Sequence, residues 1–476
     1  MARLQEVAID ARSPERLTGL IGEQRAARFE AAARATRELL AGRAVLNVNS
    51  TATGGGVAEM LQTLLAYGRG VDVDTRWFVV DADPAFFEIT KRIHNHLYGD
   101  PGDGGPLGAA ERRVYETTLQ ANAEDLASVV NPGDVVLLHD PQTAGLAAKV
   151  RRAGASVVWR CHVGVDVPDQ HVSEAWDFLH PYLDDLDAYV FSRRAFAPPW
   201  VDADRLHVIA PSIDPFSAKS YEMTSDEAVR VLRHVGLLAG GGRPPSTPFR
   251  RRDGSPGRVD RHADILQTGP PPPSDTPLVI QASRWDRMKD MEGVMAGFAQ
   301  HVDGMGDAHL VLAGPSVSGV ADDPESGRVL DACQQAWRRL PHAARSRVHL
   351  ACVPMRDPDE AAAIVNALQR HAAVVTQKSL AEGFGLTVAE ARWKSRPIVA
   401  SAVGGIVDQI VDGQHGLLIA DPCDLAAFGA AISRLLEDPA LARRLGAAAR
   451  QRASEEFLPD RHLEQWATLI GRALAP

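Results

Sequence analysis

Two carboxylates bracket a glycine-rich loop in the stretch EGFGLTVAE, from Glu382 to Glu390. The apolar run AAVVTQ (372–377) precedes it, and LTVAEARW follows with the pattern of an amphipathic helix. A Gly-Phe-Gly loop at the carboxyl end of a strand lies where open α/β sheets place their ligands. The first amides of the helix, those of Gly385, Leu386 and Thr387, suit a phosphate, with Gly383 and Phe384 completing the loop. Glu390 lies one turn below Leu386 on the same helix face, where it suits a pair of ribose hydroxyls. Glu382, on the loop, reaches the other end of the same ligand. A glycine turn capping a helix with a solvated glutamate would have the same local sequence.

Further polar groups recur at the ends of apolar runs. In SRWDRMKD, Arg284 and Lys289 flank a loop after the run LVIQA. Two cations there suit a diphosphate, arginine as a fork and lysine as a compact charge, or else they are solvated surface charges. The glycines of TATGGGVAEM (Gly54, Gly55, Gly56) follow VLNVNS and let backbone amides approach an anion, or form a plain tight turn. No Gly-Lys-Ser/Thr follows, so this is not a P-loop, and Glu59 stands where a dinucleotide fingerprint needs its third glycine. His162 ends the run SVVWRC and Asp166 follows in the loop; the His139-Asp140-Pro141-Gln142 loop ends another run and would face the same rim. Packing and an Asp-Pro turn are the plain alternatives. Asp81-Ala82-Asp83 has the spacing of a metal-diphosphate motif but reads as a turn.

These groups must be carried by strands and helices. The strand candidates are 45–50, 76–80, 135–140, 156–161, 188–192 and 206–212, then 278–283, 308–314, 347–352, 372–377, 397–401 and 416–419. Near-continuous apolar strands separated by helices indicate parallel sheets covered on both faces. Residues 1–42 read as a charged helical extension. The Pro/Gly/Arg-rich stretch 239–275 reads as a mobile loop or insertion unable to bury a core. The expected division is 1–215 as an N-terminal Rossmann-like domain, 216–276 as a linker, 277–455 as a second such domain, and 456–476 as a C-terminal helix packing back on the first domain.

The charged fraction of 24% and apolar fraction of 45% are those of a globular protein with ample core. A formal charge of −10 argues against nucleic acid and anionic membranes as partners. The four cysteines are scattered without metal-ligand spacing and read as reduced core thiols of a cytoplasmic protein. The N-terminus shows no apolar signal segment.

Together these elements resemble the retaining glycosyltransferases of family four. The likeness covers nearly the whole chain and is sharpest in the E-x7-E pattern, the Arg284/Lys289 pair and the glycine loop. LHDPQTAGL, WRCHVGVD, VIAPSIDPFS and AVGGIVDQIVDGQHGLL resemble the trehalose glycosyltransferring synthases within that family. The resemblance implies a GT-B α/β fold, two Rossmann-like doubly wound domains facing each other across a cleft. It implies an NDP-glucose donor (ADP- or UDP-glucose), free glucose as acceptor, no permanently bound cofactor and no required metal. By position, Arg284 and Lys289 would hold the diphosphate, Glu390 the ribose, Glu382 the transferred sugar, and Gly383 to Thr387 the phosphates and sugar. Gly55 and Gly56 would close on the donor, His162 would lie beside the reacting sugar, and Asp140, Gln142 and Asp166 near the acceptor. Base contacts would come from backbone near Val353. A homodimer is the candidate assembly. A sugar phosphate, glycerate or polyol acceptor is the leading alternative, with Arg160, Arg193 and Arg194 as candidate cations. A nucleotide-sugar sensor and an NAD-dependent oxidoreductase are the rivals from other classes.

Overall fold

Short runs of valine, leucine and isoleucine with polar residues only at their ends form strands that a parallel sheet buries on both faces. The computed structural model describes residues 4–53, 55–240, 247–302, 308–317 and 325–474. The first sheet contains β1 (Gln5–Glu6), β2 (Val45–Asn49), β3 (Thr75–Val79), β4 (Val135–His139), β5 (Ser156–Cys161), β6 (Ala188–Phe191) and β7 (Leu206–Val208). Their order is β1-β3-β2-β4-β5-β6-β7, and every pairing is parallel except β1 on β3. Every residue of β2 and of β4 is buried, as helices on both faces require.

Next come a hairpin, β8 (Thr247–Arg250) with β9 (Pro256–Val259), and β10 (Asp264–Leu266). The second sheet adds β11 (Leu278–Ala282), β12 (His309–Pro315), β13 (Val348–Val353), β14 (Val374–Gln377), β15 (Ile398–Ser401) and β16 (Leu417–Ile419). Its order is β10-β13-β12-β11-β14-β15-β16, again parallel except for the edge strand β10. Setting β10 aside, that is the doubly wound order 3-2-1-4-5-6, with the chain reversing direction between β11 and β14. In the first sheet, setting β1 aside, the order is 2-1-3-4-5-6 and the reversal lies between β2 and β4.

The chain divides into two units. One comprises Met1–Ser212, Glu382–Phe384 and Phe457–Pro476; the other comprises Ile213–Ala381 and Gly385–Glu456. Helix Pro459–Ala473 belongs to the first unit, where it packs on helix Glu23–Leu40 and buries Trp466, Leu469 and Ile470. No helix among the described residues is long and apolar enough to cross a membrane.

The structure corrects three expectations. The first 42 residues are not all helical, because Gln5 and Glu6 pair as an edge strand with Phe78 and Val79. The Pro/Gly/Arg-rich stretch does bury core: Phe249 and Val259 of the β8–β9 hairpin sit in the second unit's main apolar cluster. Alternation supplies the reason, since Thr247, Phe249, Gly257 and Val259 face inward while the prolines and arginines between them face out. All four cysteines are free, but Cys423 is on the surface rather than in the core.

Candidate active site

In the second unit, the loops after β11 and β14 flank the switch point. Gln281, fully buried near the end of β11, joins them: its amide donates to the Lys289 carbonyl (2.6 Å) and its oxygen accepts the Lys378 amide (2.9 Å). The Leu380 amide donates to the Met288 carbonyl at 2.8 Å, and buried Lys378 forms an ion pair with Asp290. The cationic loop and the start of the loop after β14 are thus one built structure within this unit. Arg284 is exposed, with its guanidinium 3.4 Å from Asp286, and Lys289 is half-buried in the 3-10 turn Arg287–Lys289.

The chain leaves the second unit at Glu382 and returns at Gly385. Gly385 has φ = +87°, a left-handed value that glycine adopts without strain, and it starts helix Leu386–Trp393. Gln377 orients that start by accepting the Thr387 hydroxyl (2.7 Å) while donating to Ser379 (3.0 Å). Glu390 is not the solvated glutamate of a plain capped helix. It is buried, with Lys219 3.4 Å away. Beneath it, burial pulls the Lys394 ammonium down, opposed by the Glu390 charge. Val353 is buried at the end of β13, and its carbonyl already accepts the Ser316 amide at 2.8 Å.

In the first unit the corresponding loops follow β2, β4 and β5. Gly55 has φ = +78° with open space around it, and Gly56 continues into helix Gly55–Gly70. Gly54 lies outside the described residues. Asp140 takes φ = +63°, an uncommon value for a non-glycine residue, and its carboxylate accepts the His162 amide at 2.7 Å. Burial pushes its carboxyl up to about 7, opposed by that hydrogen bond and the Arg160 charge. The side-chain oxygen of Gln142 is buried without a hydrogen-bond partner, so a ligand hydroxyl would satisfy it. Asp166 pairs with Arg193.

His162 sits in a buried polar chain. Arg160, fully enclosed, donates from Nε to His162 Nε2 (3.1 Å), from Nη2 to the Ile209 carbonyl (3.0 Å), and approaches His462 Nε2 at 3.4 Å. His139 bridges His162 Nε2 (3.2 Å) and Asn47 Oδ1 (3.0 Å), and Ser212 meets His462 Nδ1 at 2.8 Å. Burial and the Arg160 charge hold His139, His162 and His462 below the usual histidine range, so these rings are neutral at pH 7. Glu382, Gly383 and Phe384 belong to this unit: a Cβ at Gly383 would collide with the His162 carbonyl and lie 3.1 Å from the Tyr98 hydroxyl. Phe384 packs its ring on Phe457 at 5.5 Å.

The arrangement differs from expectation in particulars. His139 is buried at its strand end rather than on the rim, and Arg160 is locked inward. Asp83 caps helix Pro84–Leu97 by accepting the Phe86 amide. Sequence reasoning passed over Asn47, Gln281 and the partner role of Arg160, although a polar residue inside an apolar strand must find hydrogen bonds. Lys219 and His462 carried no local signal at all, and Ser212 was noted only within the VIAPSIDPFS stretch.

The two sheets and their switch points define a GT-B fold, and comparison with known proteins places the chain within it. Residues 47–198 match the family described as trehalose synthase, N-terminal domain, and residues 266–452 match glycosyl transferases group 1. A trehalose synthase from Pyrococcus horikoshii is 30% identical over 99% of both chains. A trehalose synthase from Rubrobacter xylanophilus is 33% identical, covering 91% of this chain and 92% of its own. Among solved structures, an α,α-trehalose-phosphate synthase (UDP-forming) from Burkholderia vietnamiensis superposes with a TM-score of 0.66 at 15% identity, covering 91% of this chain and all of its own. The chain belongs to the trehalose synthase family of group 1 glycosyl transferases, and its chemistry is glycosyl transfer.

Proposed function

We propose that the protein moves glucose, with retention, from a nucleoside diphosphate glucose to free glucose, forming α,α-1,1-linked trehalose and the nucleoside diphosphate. The donor is ADP- or UDP-glucose. The observation that carries this reading is the Gln281 junction, which ties the Lys289 end of the loop bearing Arg284 to the loop that leads into helix Leu386–Trp393. A leaving diphosphate needs that combination of cations and free amides. Glu390 takes the ribose, and backbone near Val353 takes the base. Gly55 and Gly56 close on the donor. Glu382 holds the transferred sugar and neutral His162 lies beside it, while Asp140, Gln142 and Asp166 serve the acceptor. The relatives named trehalose synthase support the acceptor, and the UDP-forming neighbour supports a nucleotide-sugar donor.

Breaking the anomeric C–O bond puts positive charge on the sugar and negative charge on the departing phosphate. Arg284, Lys289 and the amides of Gly385 to Thr387 stabilise the latter. The acceptor hydroxyl attacks from the face the phosphate leaves, and its proton passes to the leaving phosphate oxygen.

A phosphorylated acceptor is the second reading. Against it, Arg160 is committed inside the fold and Arg193 is already matched by Asp166, leaving only Arg194 exposed among the three candidate cations. The deciding experiment incubates the protein with ADP-, UDP- or GDP-glucose and either glucose or glucose 6-phosphate, following products by NMR. Trehalose from free glucose is expected. Product from glucose 6-phosphate alone would overturn the acceptor.

A further inference from the structure

The first unit holds a second group of chemistry-bearing side chains that the transfer reaction does not use. His96 lies in the last turn of helix Pro84–Leu97, and His171 and Glu174 lie at the start of helix Gln170–Leu183. The last two are three residues apart and therefore share a helix face. His96 Nδ1 is 3.7 Å from Glu174 Oε2, and His171 Nδ1 is 3.9 Å from the same oxygen. All three donor atoms fall within 4.8 Å of one another.

We propose that His96, His171 and Glu174 bind one transition-metal ion of the zinc class. Both Nδ1 atoms are buried without a hydrogen-bond partner, although they converge on one carboxylate oxygen. Buried polar atoms are rarely left unmatched, and a shared ligand accounts for both. Gln170 donates to Glu174 Oε1 at 2.9 Å, holding the carboxylate with Oε2 toward the histidines.

Tetrahedral zinc with bonds of about 2.0–2.1 Å holds its ligands about 3.3 Å apart. The two histidine–carboxylate spacings exceed this by about half an ångström, within the reach of the exposed Glu174 side chain, and all three donor atoms lie within 4.8 Å of one another. Two imidazoles and a carboxylate leave a fourth position for water. The ion would tie the end of one helix to the start of the other, so its effect is on stability rather than on glucose transfer.

The test uses the full, tag-free chain after chelator treatment, titrated with Zn2+ by calorimetry and with Co2+ by visible absorption. One Zn2+ per chain is expected, with a four-coordinate Co2+ spectrum and a melting temperature raised by zinc. His171→Ala and Glu174→Gln, both away from the fully buried core, should each weaken binding at least tenfold and abolish the zinc-dependent rise. No binding by the unaltered chain at micromolar zinc would overturn the site whatever the variants do. So would equal binding by the unaltered chain and both variants.

Discussion

Arg284 and Lys289 stand out in the sequence because cations in the loop after an apolar strand lie where open sheets bind ligands. If each stabilises the departing diphosphate as one oxyanion donor does, Arg284→Ala and Lys289→Ala should each raise the barrier by about 3 kcal/mol, roughly a hundred- to thousandfold loss in kcat. Initial rates of nucleotide release would show it; near-normal turnover in Lys289→Ala would remove the assignment. Gly383 makes a different argument. Its neighbour is the His162 carbonyl, a backbone atom that cannot swing aside. Gly383→Ala should therefore displace the Glu382 loop and cost about 1–3 kcal/mol of stability. Activity should fall with it, and melting curves read beside rates would separate the two effects.

Individual elements carry consequences that no single site residue does. The loops after β11 and β14 keep their relation through Gln281, so Gln281→Leu, which is similar in volume, should lower activity by tenfold or more. Unchanged kinetics would mean that the junction does not position the loops. The β8–β9 hairpin was read as unable to bury core because its composition is rich in arginine, proline and glycine. Composition averages over both faces, whereas alternation places Phe249 and Val259 on the inner one. Phe249→Ala should accordingly destabilise the second unit by about 3 kcal/mol or more, a loss that denaturant titration would detect. A free insertion would lose nothing.

For the whole molecule, titratable groups of the first unit set opposing pH dependences. His139, His162 and His462 titrate lower in the folded chain than in the unfolded one, where histidine titrates near about 6.5. Between those values the unfolded state binds more protons. Their contribution is therefore present above about pH 6.5 and is lost as pH falls toward about 3 for His139. Asp140 runs the other way. Its folded carboxyl is raised to about 7, so its contribution is present below about pH 4 and fades as pH rises through 7. Asp140→Asn removes the second dependence and leaves the first. Its melting temperature should rise more steeply between pH 4 and 7 than that of the unaltered chain. Parallel curves would show that Asp140 is not the opposing group.

By itself the sequence determined most of the strands and helices of the two sheets and the loops proposed to bind ligand. Apolar runs of strand length, the left-handed glycine before Leu386 and polar residues at strand ends are local features, and local sterics and burial decide them. Tertiary structure decided strand order, and with it which loops flank a switch point. It also set the long-range partners: Lys219 for Glu390, and His462 for Arg160, 302 residues apart. Such pairs depend on how distant elements pack, and each buried charge accepts whichever partner packing delivers. His96 and His171 met in the same way, since nothing in either helix alone announces the other.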